Sequence, residues 1–190
     1  MLLFTSRRER WLWTAVLAVV AAIYATLGLA ATLAEVLRAR SLVDNFTFVC
    51  FLLLLAAIFI QGLRVRPRGA EIGLALGIAA VYFLMFARMA IPAEERSHLV
   101  EYGVLAVLIY ETLCERARGG RRVPVPALLA IAAASLIGTL DECLQILVPG
   151  RGFEWVDVLF NTLASLMAVV ACVVLGWFRR LTRIHSTSHD

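Results

Sequence analysis

The sequence predicts an all-α membrane protein, a bundle of about six transmembrane helices formed by one domain over residues 1–190. Two features of the composition lead to this fold class. Hydrophobic residues make up 62% of the chain and the mean hydropathy is +0.86, whereas soluble domains are about 45–50% apolar. Charged residues account for only 17% and fall in short clusters between long apolar runs. This composition excludes an ordinary soluble domain, a disordered chain and a secreted disulfide scaffold.

A transmembrane helix needs about 20 mainly apolar residues to cross the hydrocarbon core. Six stretches are long and apolar enough to be candidates: Trp11–Ala34, Phe46–Leu63, Ile72–Ile91, His98–Leu113, Ala127–Val148 and Asp157–Phe178. The first follows a basic segment, but its apolar run exceeds the roughly 7–15 residues of a signal peptide, so we expect an uncleaved anchor. The fourth is the shortest and begins with polar residues. Pro126, just before the fifth, suits the first position of a helix.

The arginines predict the orientation of these helices. The chain has no lysine, so its 18 basic residues are all arginine. If both termini are cytoplasmic, 13 arginines flank the inner ends of the spans and four flank the outer ends, while Arg88 lies within the third span. This bias follows the positive-inside rule, so we expect both termini in the cytoplasm. The same rule accounts for the net charge of +4 without a nucleic-acid partner.

The polar residues of the last three predicted spans fall at one depth, near the outer ends of the helices. His98, Glu101 and Tyr102 share a face at the start of the fourth span, because they are three and four residues apart. The others lie at the end of the fifth span, in the loop that follows and at the start of the sixth: Asp141, Glu142, Gln145, Arg151, Asp157 and Asn161. Ionisable groups are costly inside a membrane and mark functional sites by default. We therefore expect these side chains to meet in the outer leaflet.

One interpretation of these residues is a functional pocket that opens outward. Histidine and carboxylates can perform general acid–base chemistry, and the residues assigned to that role are His98, Glu101, Asp141 and Glu142. The residues assigned to ligand binding are Tyr102, Gln145, Arg151, Asp157 and Asn161. Arginine suits a phosphate or carboxylate group. One histidine among carboxylates has no diagnostic metal spacing, so no metal or cofactor is predicted.

The rival interpretation is a structural clasp between helices, in a non-catalytic membrane scaffold or partner protein. Interhelical hydrogen bonds contribute only about 0.6 kcal/mol on average in membranes, whereas each carboxylate at mid-membrane costs about 2.5 kcal/mol or more. A clasp would need fewer charges, which favours the pocket. A third class, ion transport, requires polar residues on both sides of the midplane, and the inner halves of the last two spans are apolar.

The order and spacing of the polar residues resemble a known family. The string is His98-x-x-Glu101-Tyr102, then Asp141-Glu142-x-x-Gln145-x-x-x-Pro149-x-Arg151, then Asp157-x-x-x-Asn161. It is similar to the VanZ-like family of bacterial membrane proteins over about Ala93–Phe178. The resemblance implies a small multi-span protein of the bacterial inner membrane. It also implies a link to low-level resistance to the glycopeptide teicoplanin. This association, the depth of the polar residues and the presence of Arg151 together predict an envelope ligand that is lipid-linked or phosphate-bearing.

Overall fold

The computed structural model of the protein describes residues 4–39, 77, 95–148 and 151–187. These residues form four helices and no strand: α1 (Arg7–Ala39), α2 (Glu95–Arg118), α3 (Pro126–Gln145) and α4 (Trp155–Thr187). The all-helical class is therefore confirmed for this part of the chain. The predicted second and third spans, Phe46–Leu63 and Ile72–Ile91, lie outside the described residues except for Gly77.

The helices differ from the predicted spans at their ends. α2 runs from Glu95 to Arg118, well beyond the predicted limits, and its last turn carries basic side chains that suit the negative end of the helix dipole. α3 begins at Pro126, as expected. It ends at Gln145, three residues earlier than predicted, because the amides of Leu147 and Val148 bond to carbonyls three residues back in a tighter turn.

Two helices of the described part are long and apolar enough to cross a membrane, namely Pro126–Gln145 and Trp155–Leu181. Both present large apolar side chains outward, since Leu136 of α3 is 61% exposed and Leu159 of α4 is 68% exposed. Lipid tails favour such a surface, which a soluble monomer rarely shows. The exposed Trp155 and Trp177 lie near the two ends of this span. The rise of an α-helix separates them by about 33 Å, close to the thickness of the hydrocarbon core that interfacial tryptophans border.

α2 is the central helix and contacts each of the other three. Its fully or almost fully buried side chains include Tyr102, Leu105, Ala106 and Ile109. α3 contributes a stripe of buried small residues, one turn apart, consisting of Ala130, Ala134 and Gly138. Small side chains let helix backbones approach closely within a membrane. α1 packs mainly on α2 and touches α3 at few points.

A network of ion pairs joins the start of α1 to the end of α2. Arg8 contacts Glu111 at 3.0 Å and Glu115 at 3.2 Å. Arg116 contacts Glu9 at 2.9 Å, and the side chain of Glu9 is completely buried. The two helices are therefore antiparallel, with the start of one fixed beside the end of the other.

Glu9 also forms part of the cap of α1. The hydroxyl of Ser6 accepts a hydrogen bond from the Glu9 amide at 3.0 Å, and the amide of Thr5 donates to the Glu9 carboxylate at 2.5 Å. This arrangement resembles a capping box, except that the carboxylate accepts from the amide of Thr5 rather than from that of the capping residue Ser6. Burial raises the pKa of Glu9, but the hydrogen bonds from Thr5 and the charge of Arg116 outweigh it and hold the pKa below its ordinary value of 4.5. The carboxylate form of Glu9 therefore stabilises this junction.

Candidate functional site

Buried polar side chains from three helices meet at the end of the bundle where α3 ends and α4 begins. They are Tyr102 of α2, Asp141, Glu142 and Gln145 of α3, and Asp157 and Asn161 of α4. None of them is more than 7% exposed. These six residues and Arg151 are called the polar cluster below. The sequence predicts that nine residues meet here, and the structure brings these seven together on three helices and on the loop between α3 and α4.

Gln145 connects the charged members of the polar cluster. Its amide nitrogen donates hydrogen bonds to Glu142 Oε1 at 2.7 Å and to Asp141 Oδ2 at 3.4 Å. Its amide oxygen accepts a hydrogen bond from Arg151 Nη1 at 3.0 Å. Gln145 follows the two acids by three and four residues, so one face of α3 carries all three side chains. A neutral amide thus links two buried carboxylates to the arginine of the following loop.

Glu142 ties α3 to the start of α4. Its second carboxylate oxygen accepts a hydrogen bond from the backbone amide of Glu154 at 3.4 Å, just before α4 begins. Asp157 in the first turn of α4 lies within electrostatic range of Glu142, as does Arg151. Carboxylates near a helix N-terminus are favoured by the helix dipole. The end of α3 and the start of α4 therefore bring two carboxyl groups, those of Glu142 and Asp157, close together.

Asn161 is the innermost polar residue of the cluster on α4. It is completely buried, and neither atom of its amide group has a hydrogen-bond partner within the part of the chain that the structure describes. It packs against Gly138, where a Cβ would lie 2.9 Å from the Asn161 Cβ and 3.1 Å from Tyr102 Cε1. A buried amide without a partner costs about 1–3 kcal/mol. Its donor and acceptor are therefore unused hydrogen-bonding groups in the interior of the described bundle.

Arg151 lies in the loop between α3 and α4 and is partly exposed. Among the described residues, its guanidinium makes the hydrogen bond to Gln145 and no ion pair. A guanidinium has five N–H donors, so about four of them remain for another partner. Its planar fork matches the oxygens of a phosphate or a carboxylate. The cluster therefore presents an anchored cation at its outer edge.

Tyr24 of α1 belongs to this region, although sequence reasoning missed it. Its hydroxyl donates a hydrogen bond to the backbone oxygen of Ile137 at 3.3 Å and lies within electrostatic range of Asp141. Tyr102 of α2 lies beside the same aspartate. Asp141 therefore has two phenol groups nearby, one from each of two other helices. A tyrosine in the middle of an otherwise apolar span was the signal that could have found it.

His98 and Glu101 lie on α2 at the same end of the bundle. His98 is in the first turn of the helix, one turn before Tyr102, and its side chain is outside the described part. Glu101 is partly buried and within electrostatic range of Tyr102. Their assignment to acid–base chemistry stays a prediction. Within the described ranges, no group of three or more histidine, cysteine, aspartate or glutamate side chains is arranged to hold a metal ion.

An exposed tryptophan, Trp155, precedes the polar cluster residues of α4. Asp157 and Asn161 follow it on α4 by two and six residues. The helical rise places them about 3 Å and 9 Å further along the axis. Tryptophans are enriched at membrane interfaces, so an interfacial Trp155 would place the polar cluster near the lipid headgroups rather than at the bilayer centre. Chemically, the cluster can bind an anion through Arg151, its carboxylates can exchange protons, and its phenols can donate hydrogen bonds.

Comparison with known proteins supports the resemblance in the sequence. A family model described as VanZ/LLP1 matches residues 1–176, nearly the whole chain. The match includes the first three predicted spans, which carry no recognisable motif, and thus extends well beyond Ala93–Phe178. No curated protein and no solved structure matches the chain.

Proposed function

The chain belongs to the VanZ/LLP1 family, and on this premise we propose that its polar cluster binds an anionic component of the bacterial cell envelope. The ligand is a lipid-linked or phosphate-bearing molecule, such as a membrane lipid or a cell-wall precursor. It reaches the site from the outer leaflet of the inner membrane, with both termini of the chain in the cytoplasm. The association of VanZ-like proteins with teicoplanin resistance supports an envelope ligand.

The observation that carries this proposal is the position of Arg151. The arginine is partly exposed, and its bond to Gln145 aims one N–H group inward while the others remain for a ligand. The buried acids behind it, Asp141 and Glu142, are linked to it through the same glutamine. Such a site can hold a phosphate group at its edge and accept protons behind it.

The depth of the polar cluster supports a lipid-linked ligand rather than a water-soluble one. The cluster begins close to Trp155, which marks the membrane interface, and extends about 9 Å inward to Asn161. A phosphate attached to acyl or polyprenyl chains lies at this level of the bilayer. The buried amide of Asn161 would then meet a polar group of the ligand that lies deeper than its phosphate.

If the site is catalytic, acid–base chemistry is the reaction type that its residues favour. His98 and one of Asp141 and Glu142 would form the acid–base pair, and Glu101 would assist them. Arg151 would hold the anionic group, and Asp157 would orient the histidine or the arginine. Tyr102, Gln145 and Asn161 would line the ligand.

The alternative is a non-catalytic scaffold whose polar cluster is a helix-packing clasp. One observation favours it: the side chain of Gln145 is only 4% exposed and makes all of its hydrogen bonds to other members of the cluster. Hydrogen bonds of this kind contribute about 0.6 kcal/mol on average. This stabilisation is small compared with the free-energy cost of burying three acids. The ligand site is therefore the preferred function.

The two functions are separated by thermal unfolding of the detergent-purified protein with and without extracted envelope lipids. The variants are His98→Ala, Asp141→Asn and Arg151→Ala, with Arg151→Lys as the charge-conserving control. A ligand that binds the folded state raises stability by RT ln(1 + [L]/Kd). For a ligand site, lipid stabilises the wild-type protein, and the three variants fold but lose most of that gain.

The clasp makes the opposite prediction for the same measurement. Each variant then unfolds at a lower temperature than the wild type in the absence of lipid, because a buried group has lost its partner. Added envelope lipids change none of the unfolding temperatures relative to lipid of neutral headgroup. That pattern would contradict the proposed ligand site.

A further inference from the structure

Two groups stand out among the described arginines at the opposite end of the bundle, where α2 ends. Arg8, Arg116 and Arg118 form ion pairs with glutamates of α1 and α2. The second group is exposed and makes no ion pair among the described residues: Arg7, Arg10, Arg122 and Arg180. We call this second group the basic rim. Within the described part of the bundle, the positive charges of these four arginines are not neutralised by an acidic side chain.

The basic rim lies next to exposed tryptophans on two separate helices. On α1, Trp11 is 75% exposed and directly follows Arg10. On α4, Trp177 is 61% exposed and precedes Arg180 by three residues, about 4.5 Å along the helix. Exposed tryptophans of membrane helices lie at the interface. The arginines just outside them therefore lie at the level of the lipid phosphates.

The opposite end of α4 lacks this arrangement. Trp155 is 73% exposed there, but Arg151, four residues earlier, bonds inward to Gln145. An arginine that is directed to the polar cluster is not part of an outward basic surface. Among the described side chains, Arg151 at this end is therefore held by the polar cluster, whereas the arginines of the basic rim are not held by other groups of the bundle.

We infer that the basic rim binds the headgroups of anionic glycerophospholipids, phosphatidylglycerol among them, in the leaflet next to the ion-paired end of the bundle. Guanidinium groups match phosphate oxygens. Each basic residue near an anionic membrane surface raises the affinity of the protein for that surface about fivefold. The four positive charges are complementary to such a leaflet. This surface is separate from the polar cluster, so it does not depend on the proposed function.

Tryptophan fluorescence tests the inference at both ends of the same protein. Two single-tryptophan forms, with the other tryptophans replaced by phenylalanine, retain either Trp177 or Trp155. Each is reconstituted into mixed vesicles of phosphatidylcholine and phosphatidylglycerol in which one lipid or the other carries brominated acyl chains. Bromine quenches a tryptophan only when the brominated lipid is adjacent, so the ratio of quenching gives the lipid preference at each end.

We expect brominated phosphatidylglycerol to quench Trp177 more strongly than brominated phosphatidylcholine. The Trp155 form also carries Arg151→Ala, which removes the arginine of the polar cluster, and in it we expect the two lipids to quench equally. Arg180→Gln should reduce the preference at Trp177 about fivefold, whereas Arg180→Lys should retain most of it. Added salt should weaken the preference without any substitution. Equal quenching of Trp177 by the two lipids, or a preference that Arg180→Gln leaves unchanged, would overturn the inference.

Discussion

Arg151 donates a hydrogen bond from Nη1 to the side-chain oxygen of Gln145 across 3.0 Å, which ties a loop arginine to the buried end of α3. Gln145 in turn donates to the Glu142 carboxylate across 2.7 Å. The amide thus lies between an acid and a cation, satisfying one hydrogen-bonding group of each. A change at Gln145 should therefore alter both the stability of the helix end and the position of the arginine.

Replacing the glutamine by an apolar residue should separate these groups. Gln145→Leu removes the hydrogen bonds to Glu142 and Arg151, so we expect it to lower the free energy of unfolding by roughly 1–2 kcal/mol. Chemical unfolding in detergent measures this loss, and Leu144→Ala is the control, because Leu144 is 39% exposed at the adjacent position. Equal stability of Gln145→Leu and the wild type would contradict the role of the bridge.

Gly138 should not tolerate a side chain. In Gly138→Ala the new Cβ would lie 2.9 Å from the Asn161 Cβ and 3.0 Å from Asn161 Nδ2, so we expect overpacking to cost about 1–3 kcal/mol. The matched control is Gly176→Ala on α4, where a Cβ meets nothing within 4 Å. That change should be neutral or slightly stabilising, because alanine favours a helix by up to about 1 kcal/mol over glycine. Equal effects at the two positions would show that α3 and α4 are not in close contact at Gly138.

The ion-paired junction of α1 and α2 should respond to acid. The pKa of Glu9 in the folded protein lies below its ordinary value of 4.5, so its carboxylate stabilises the fold above that value and the contribution is lost as the pH falls through the folded pKa. Glu9→Gln should lower stability at neutral pH and give a shallower loss of stability on acidification. Unfolding curves over a pH series measure both effects.

A second variant checks that the Glu9 effect arises from its ion pair. Arg116→Gln leaves the fully buried Glu9 without the cation that contacts it at 2.9 Å. Removing the arginine leaves a buried charge without its partner, whereas removing the glutamate leaves a charge on Arg116, which is 33% exposed. The first change is the more costly. We therefore expect Arg116→Gln to be less stable than Glu9→Gln at neutral pH. The reverse order would indicate that the Thr5 hydrogen bonds, rather than the arginine, hold the carboxylate.

The proposed orientation predicts which loops a reagent can reach from outside the cell. In a form without the four cysteines, Gly152→Cys and Arg122→Cys each place one thiol at an exposed loop position. Both termini in the cytoplasm put residue 152 outside and residue 122 inside. A membrane-impermeant maleimide should label Gly152→Cys in intact cells and Arg122→Cys only after permeabilisation. The opposite labelling pattern would reverse the orientation.

Much of the polar cluster could be predicted from spacing alone. Residues three and four apart share a helical face, so Asp141, Glu142 and Gln145 were expected together, and their hydrogen bonds follow that expectation. The convergence of Asp157 and Asn161 with them followed from a short loop between two apolar helices. Such a loop brings the end of one helix next to the start of the other.

The contribution of α1 could not be predicted in the same way. Tyr24 reaches the region from more than 100 residues earlier in the chain, and its contact is with a backbone oxygen of α3 that no sequence pattern marks. The three-residue spacing of Ser6 and Glu9 is a local pattern from which the cap of α1 could be predicted. The pairing of Glu9 with Arg116, in contrast, depends on how α1 packs on α2. Contacts between distant helices are set by packing rather than by local periodicity.

The most direct test of the ligand site is the stability of Asn161→Leu with and without extracted envelope lipids. Leucine has nearly the shape of asparagine but no polar atoms, and the buried amide of Asn161 has no partner within the described residues. For a ligand site we expect the variant to be as stable as the wild type without lipid, or more stable by about 1 kcal/mol, and to lose the stabilisation by lipid. A variant that is destabilised without lipid and still gains the full lipid stabilisation would contradict the site.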